Sequence, residues 1–240
     1  MISEAAIWHD LECGSYEADL DCWRQLAAEY GGPILDVGAG TGRIALMLAQ
    51  LGHHVTALDS DASLLAALSG RATGGAVETV CADARNFVID GQFALIIVPM
   101  LTVQLFGGVD GRAGFFAAAA AHLAPGGCAA LAIADLLDDE EGAAGGESPH
   151  PDCCTTDGIS YSTRAVALNH RAGQVGIERR RELEAPDGTK EVKAATDWID
   201  TVTPEQLEEE GAAAGLTVAP QRMIPATDEY IGSAVICLNG

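Results

Sequence analysis

The chain has 240 residues, of which 48% are apolar and 20% are charged, so it can bury a sizeable core and is not disordered throughout. Its 35 acidic residues outnumber its 13 basic ones, and the formal charge of -22 opposes binding to nucleic acids and anionic membranes. No run of 18 apolar residues and no secretory signal is evident, so we expect a cytoplasmic protein.

Strands and helices are predicted to alternate through the first half of the chain. An amphipathic helix is predicted over residues 15–31. Short apolar strands are predicted at residues 34–37, 54–58, 76–80, 93–98 and 128–134, and helices between them at residues 44–51, 61–70 and 112–123. This alternation is typical of a parallel sheet that is covered by helices on both faces.

The pattern changes after residue 135. Residues 136–158 are acidic and rich in glycine, which predicts a mobile loop. Apolar and polar residues then alternate in three segments separated by turn sequences, at residues 159–169, 174–184 and 190–201, which predicts an antiparallel meander. A helix capped by Thr203 and two strands, at residues 216–224 and 230–238, complete the chain.

We therefore predict an α/β fold with a Rossmann-like, mostly parallel sheet, helices on both faces and a final antiparallel strand. An antiparallel β-meander would be inserted after the fifth strand. Residues 1–135 and 202–240 would form the main domain, and residues 136–201 an insert that covers a substrate or forms a dimer.

The most informative segment is Asp36-Val37-Gly38-Ala39-Gly40-Thr41-Gly42, which follows the first predicted strand. Glycines at alternate positions allow a tight turn and a close approach of the backbone to a ligand. Dehydrogenases use a similar loop, but their glycines follow the pattern GxGxxG, which this segment lacks. A carboxylate two residues before the first glycine suits a ligand with an amino group.

On these residues the sequence resembles the class I S-adenosylmethionine-dependent methyltransferases of the small-molecule type. Further matches to the family follow successive strands. They are Asp59 after the second strand, Ala82-Asp83-Ala84 after the third, Val98-Pro99-Met100-Leu101 after the fourth, and Leu123-Ala124-Pro125-Gly126-Gly127 before the fifth.

The resemblance implies S-adenosylmethionine as the cofactor. Asp36 would lie near its ammonium group, Asp59 would accept hydrogen bonds from its ribose hydroxyls, and Asp83 would accept one from its adenine amino group. Arg43 is expected to pair with a carboxylate instead. The full set of residues implied to contact the cofactor is Tyr16, Asp36, Gly38, Ala39, Gly40, Gly42, Asp59, Ser60, Asp83, Ala84, Pro99 and Met100.

The sequence contains no obvious general base. The candidate catalytic residues are His150, in the polar loop, and Tyr161, in the meander. Candidate substrate contacts are Gln104, near the position where relatives with small-molecule acceptors often have a histidine, and Asp135, at the end of the fifth strand. No metal site is predicted.

The predicted activity is transfer of a methyl group to a nitrogen or oxygen atom of a small molecule by direct displacement. A non-catalytic protein that binds S-adenosylmethionine and a nicotinamide-dependent oxidoreductase are the alternatives. The expected partner is the small-molecule acceptor, with a homodimer through the inserted sheet as a further option. Neither a nucleic acid nor a membrane is expected as a partner.

Overall fold

The computed structural model describes residues 2–134, 151–227 and 231–240. The helices are α1 (Glu4–Cys13), α2 (Leu20–Tyr30), α3 (Arg43–Gln50), α4 (Ala62–Arg71), α5 (Gly108–His122) and α6 (Pro204–Ala213), with a short 3-10 helix at Thr102–Leu105. The strands are β1 (Ile34–Val37), β2 (Val55–Asp59), β3 (Val77–Cys81), β4 (Phe93–Val98), β5 (Leu123–Ile133), β6 (Asp152–Thr156), β7 (Ile159–Arg171), β8 (Gln174–Glu184), β9 (Lys190–Asp200), β10 (Thr217–Ile224) and β11 (Ser233–Asn239). None of the helices in these ranges combines the length and apolarity needed to cross a bilayer.

The main sheet confirms the predicted fold class. Within the described residues its strand order is β10-β11-β5-β4-β1-β2-β3. Strands β1 to β5 run parallel, and β11 is antiparallel to both of its neighbours. The carboxyl ends of β1, β2 and β4 therefore meet at one edge of the sheet, which is where ligands bind in open α/β sheets.

Two hydrophobic clusters cover the two faces of this sheet. Ile34 and Leu95 pack in one cluster with Trp23 of α2, while the adjacent Leu35 and Ile96 pack in the other. Alternate side chains of a strand point to opposite faces, so near-continuous apolar strands such as β1 and β4 are buried on both sides. The sequence patterns of these central strands thus account for the layered core.

The insert forms a second, antiparallel sheet with the order β6-β7-β8-β9. The expectation of a loop up to residue 158 was wrong for residues 152–156, which form β6 and pair with β7. Asp157 and Gly158 both have positive φ values, 51° and 80°, and join these strands in a tight hairpin. Residues 136–150 of the predicted loop lie outside the described residues.

The first helix was missed by the sequence analysis. Ser3 caps α1, since its hydroxyl accepts a hydrogen bond from the Ala6 amide at 3.2 Å. Ile7 and Trp8 of α1 pack against Tyr161 of β7, and the rings of Trp8 and Tyr161 meet edge to face at 5.2 Å. Long-range contacts with the insert thus stabilise α1, while the predicted helix at residues 15–31 begins only at Leu20.

A buried ion-pair cluster joins the end of the insert to the main domain. Asp200, the last residue of β9, accepts hydrogen bonds from the Gly108 amide at 2.5 Å and from the Arg112 guanidinium at 3.1 Å. Arg112 also donates two hydrogen bonds to Glu210 of α6, both at 2.8 Å. Only 5% of the Arg112 side chain is exposed. One arginine on α5 therefore holds both the insert and α6.

Replacing Arg112 with methionine should lower the free energy of unfolding by about 3–5 kcal/mol, because the buried Asp200 and the half-buried Glu210 lose their countercharge. Urea denaturation would measure the change. Arg24→Met is the matched control, since Arg24 and Asp21 form an exposed pair on α2 that contributes at most about 1 kcal/mol. Equal losses in the two variants would show that Arg112 does not have this role.

Candidate functional site

The loop of residues 38–42 joins β1 to α3 at the carboxyl edge of the sheet. Gly38, Gly40 and Gly42 have φ values of 72°, 55° and 95°, which favour glycine strongly. The Gly38 and Ala39 amides donate hydrogen bonds to the Leu58 carbonyl at 2.8 and 3.0 Å. A side chain at Gly38 would also overlap the methyl group of Thr102. The loop is therefore fixed between β2 and the segment that follows β4.

Asp36, in β1, carries a buried carboxylate with an unused acceptor. The residue is 1% exposed, and its Oδ1 has no hydrogen-bond partner among the described residues. Burial raises the pKa of Asp36 to about 7, although the charge of Arg43 opposes this shift. A buried acceptor without a donor costs free energy, so this site favours a ligand that brings a cation or an N–H group.

Asp59, the last residue of β2, has its carboxylate oriented by two backbone amides. The Gly40 amide donates to Oδ2 at 2.8 Å, and the Asp61 amide donates to Oδ1 at 2.9 Å. An ionised carboxylate has about four acceptor positions, so two remain for a ligand. The glycine loop and the acid predicted from the next strand are thus in direct contact.

The residues after β3 form a more exposed part of this edge. The Ala82 amide donates to the Asp59 carbonyl at 3.0 Å, which brings the β3 segment next to β2. Asp83 accepts hydrogen bonds from the Arg85 guanidinium at 2.6–3.0 Å, and these bonds lower the pKa of Asp83 to about 2. Ser60 is exposed and Ala84 is half-buried. The carboxylate that was predicted to meet adenine is therefore already engaged by Arg85.

Tyr16 and Arg43 form part of the core that supports the loop. Tyr16 is buried, and the Arg43 guanidinium lies 5.3 Å from the centre of its ring. Arg43 donates hydrogen bonds to both carboxylate oxygens of Asp19, at 2.6 and 2.7 Å. The prediction that Arg43 pairs with a carboxylate is confirmed, and the pair fixes the start of α3.

The segment after β4 differs from its prediction at Gln104. Pro99 is buried, and Met100 adopts a positive φ of 57°, which is uncommon for a residue other than glycine. Gln104 is 1% exposed. Its amide nitrogen donates to the Asp200 carbonyl at 2.9 Å, and its oxygen accepts from the Ala134 amide at 3.2 Å. Gln104 thus joins β5 to β9 and is not placed at an open surface.

Of the two predicted catalytic residues, the described parts of the structure include only Tyr161. Tyr161 is buried against Trp8 on α1, and burial raises its pKa. It therefore packs in the interface between the insert and α1, and no described contact joins it to the glycine loop. The other predicted catalytic residue, His150, and the predicted substrate contact Asp135 lie outside the described residues.

Helix α1 contributes residues that the sequence analysis missed. The ring of His9 lies against Gly40, and Asp10 accepts a hydrogen bond from the Thr41 hydroxyl at 2.6 Å. Asp10 also pairs with Arg71 of α4. Ser3 is a helix-capping residue type placed before Glu4, and this signal could have revealed the helix. The contacts of α1 with the glycine loop could not be predicted from the sequence.

Comparison with known proteins identifies the domain that contains this loop. Residues 34–127 match the family model described as a methyltransferase domain. These residues form a methyltransferase domain. The match begins at β1 and includes the glycine loop, Asp59 and Asp83.

Two sequence relatives of the methyltransferase domain are methyltransferases. The chain is 33% identical over 72 residues to an rRNA adenine N-6-methyltransferase from Corynebacterium diphtheriae, over 30% of this chain and 28% of that protein. It is 30% identical over 118 residues to a cypemycin N-terminal methyltransferase from a Streptomyces species, over 49% of this chain and 47% of that protein. The matched segments thus span less than half the length of either relative.

Similarity of fold extends beyond the methyltransferase domain to nearly the whole chain. The structure of CalS10, an amino pentose methyltransferase from Micromonospora echinaspora involved in calicheamicin biosynthesis, was solved with S-adenosylmethionine bound. It aligns with a TM-score of 0.73 and 21% identity, over 98% of this chain and 97% of that one. The chain therefore has the class I methyltransferase fold, insert included.

Replacing Asp36 with asparagine should stabilise the free protein increasingly as the pH rises. A folded-state pKa of about 7, above the value of 3.8 for an ordinary aspartate, favours folding at low pH, and this contribution is lost between about pH 4 and pH 7. Asparagine cannot ionise and avoids the loss. At about 1.4 kcal/mol per pKa unit, the advantage of the variant should grow by about 3 kcal/mol from pH 5 to pH 8.

Urea denaturation at both pH values measures this difference. Asp21→Asn, which makes the same charge change on the exposed face of α2, is the control. Curves of stability against pH that run parallel for wild type and Asp36→Asn would contradict the ionisation of a buried Asp36.

Proposed function

We propose that the chain is an S-adenosylmethionine-dependent methyltransferase that methylates an amine nitrogen of a small molecule. The observation that carries the proposal is the buried, unpartnered Oδ1 of Asp36, two residues before a glycine loop that leads into α3. An amino-acid ammonium group supplies the hydrogen-bond donor and the positive charge that this carboxylate lacks.

Asp59 would hold the sugar of the same cofactor. Its two oxygens are oriented by the Gly40 and Asp61 amides and retain free acceptor positions, which suits a ribose with two adjacent hydroxyls. Because these two amides already orient the carboxylate, ligand binding does not have to order it. Asp36 and Asp59 flank the loop from neighbouring strands, and together they would suit the amino-acid end and the central ribose of an adenosyl amino acid.

Ser60, Asp83 and Ala84 would line the adenine side. The ion pair with Arg85 restrains the Asp83 carboxylate, and 38% of this side chain remains exposed. An adenine amino group would therefore share Asp83 with Arg85, since carboxylate oxygens accept more than one hydrogen bond. Pro99 and Met100 would border the methionine end, beside Thr102, which already contacts Gly38.

Methyl transfer by direct displacement requires mainly that the protein align the attacking atom with the methyl group. S-adenosylmethionine, when bound, supplies a methyl group that is activated by the sulfonium. The residues of the chain must hold the attacking atom in line and exclude water, and such alignment contributes up to about 7–11 kcal/mol in favourable reactions. Residues 99–108, which follow β4, include no acidic or basic side chain. An amine that attacks through its free lone pair needs no base at that moment, whereas a hydroxyl does.

Three further observations support a small amine as the acceptor. The cypemycin relative acts on an N-terminus and CalS10 on an amino pentose, according to their names. The net charge of -22 attracts cationic amines over a long range. The same charge opposes an RNA substrate like that of the rRNA methyltransferase, which matches only 30% of this chain.

Replacing Asp59 with alanine should weaken binding of S-adenosylhomocysteine by about 100-fold or more. The variant removes two charge-assisted hydrogen bonds to the ligand and leaves the Gly40 amide without its partner. Titration calorimetry measures the affinity, and Asp21→Ala on α2 is the surface control. Unchanged affinity in a folded Asp59→Ala protein would remove Asp59 from the site.

A transfer assay with isotope-labelled S-adenosylmethionine tests the proposed reaction. The acceptors would be amino sugars and short peptides with free N-termini, each paired with its hydroxyl counterpart. Label should appear on amines, not on the hydroxyl compounds, and Asp59→Ala should abolish the signal. Label only on hydroxyl compounds would contradict an amine acceptor. Tight binding of S-adenosylhomocysteine without transfer to any compound would favour a non-catalytic binding protein.

A further inference from the structure

His9 of α1 lies directly over the glycine loop. A methyl group built on Gly40 would overlap Nε2 and Cε1 of the His9 ring, so this edge of the ring faces the glycine. The Gly40 amide, in turn, donates to Oδ2 of Asp59 at 2.8 Å. The imidazole edge and the Asp59 carboxylate therefore approach the same short stretch of backbone from α1 and from β2.

The hydrogen bonds behind the ring determine which nitrogen of His9 carries the proton. The Thr41 hydroxyl donates its only proton to Asp10 at 2.6 Å, and its oxygen lies 3.2 Å from Nδ1 of His9. Nδ1 must then be the donor to Thr41. Asp10 is kept as an acceptor because hydrogen bonds from Arg71 and Thr41 outweigh its burial and lower its pKa.

Nε2 is consequently an acceptor in the neutral ring. Burial lowers the pKa of His9, against the opposing charges of Asp10 and Glu12 on α1 and of Asp59 on β2, while Arg43 on α3 adds to the lowering. Nε2 makes no hydrogen bond within the described parts of the chain. An unpartnered acceptor thus lies against Gly40, whose amide donates to Asp59.

We propose that His9 is a cofactor-binding residue whose Nε2 accepts a hydrogen bond from a ribose hydroxyl, alongside Asp59. The unpartnered imidazole acceptor and the Asp59 carboxylate both contact Gly40, and together they suit a vicinal diol, which offers two donors. This inference rests on the proposed function, because it requires an adenosyl ligand in the loop. It adds α1 to the cofactor site, which the sequence analysis had not included.

Two substitutions separate the role of Nε2 from that of Nδ1. In His9→Asn the amide reaches only the Nδ1 position, where it can still donate to Thr41, and the acceptor at Nε2 is lost. In His9→Gln the longer side chain brings an acceptor oxygen to the Nε2 position. The ligands are S-adenosylhomocysteine and its 2′-deoxy and 3′-deoxy analogues, and titration calorimetry gives their affinities.

For S-adenosylhomocysteine, His9→Asn should bind about three- to tenfold more weakly than wild type, as expected for one neutral hydrogen bond. His9→Gln should stay within about twofold. For the one deoxy analogue that lacks the contacted hydroxyl, wild type and His9→Asn should bind equally. Urea denaturation of each variant establishes that α1 remains folded.

A His9→Asn penalty of the same size for all three ligands would overturn the proposal, since the contact would not involve a ribose hydroxyl. So would unchanged affinity for S-adenosylhomocysteine in this variant. Failure of the wild-type protein to bind S-adenosylhomocysteine at all would instead overturn the proposed function itself. The two failures are therefore distinguishable in one set of titrations.

Discussion

The buried carboxylate of Asp36 is the constraint around which this site is built. It lies at the centre of the sheet, beside the turn of the glycine loop, with Oδ1 unpaired and a pKa raised by burial. An apolar residue of similar size would stabilise β1 better, because it would carry no desolvation cost. Retaining an acid there makes sense if a ligand completes it. Under the proposed function, the stability lost at Asp36 would be recovered when the cofactor binds.

Helix α1 connects this loop to the insert. On one side, His9 and Asp10 contact Gly40 and Thr41. On the other, Arg181 of β8 donates two hydrogen bonds to Glu12, at 2.7 and 2.6 Å, and the Thr163 hydroxyl donates another at 3.0 Å. These partners are largely buried, so the contacts are stronger than surface ion pairs. The insert therefore positions the helix that covers the loop, which is a role beyond that of an outer cover or a dimer surface.

The sequence predicted the strand ends well because their signals are local. Gly38, Gly40 and Gly42 are required by positive φ values within five residues, and Asp59 follows an apolar strand of ordinary length. What it could not predict depends on residues far apart in the chain. Glu12 and Arg181 are brought into hydrogen-bond contact only by the tertiary fold. Similarly, the Gln104 amide is hydrogen-bonded to the Asp200 carbonyl, 96 positions away. The ion pair between Asp83 and Arg85 is local, since the two residues are only two positions apart. The sequence analysis nevertheless did not predict it, because spacing alone does not show that the two side chains turn toward each other.

The contacts of Gln104 close one side of the proposed site. Its amide fastens the end of β5 to the end of β9, and Arg112 fastens the same Asp200 to α5 and α6. The side of the site formed by the segment after β4 is therefore closed by structural contacts. The glycine loop is covered from another direction by α1, which is held by the insert. Within the described residues, the proposed site is thus bounded by the segment after β4 on one side and by α1 on another.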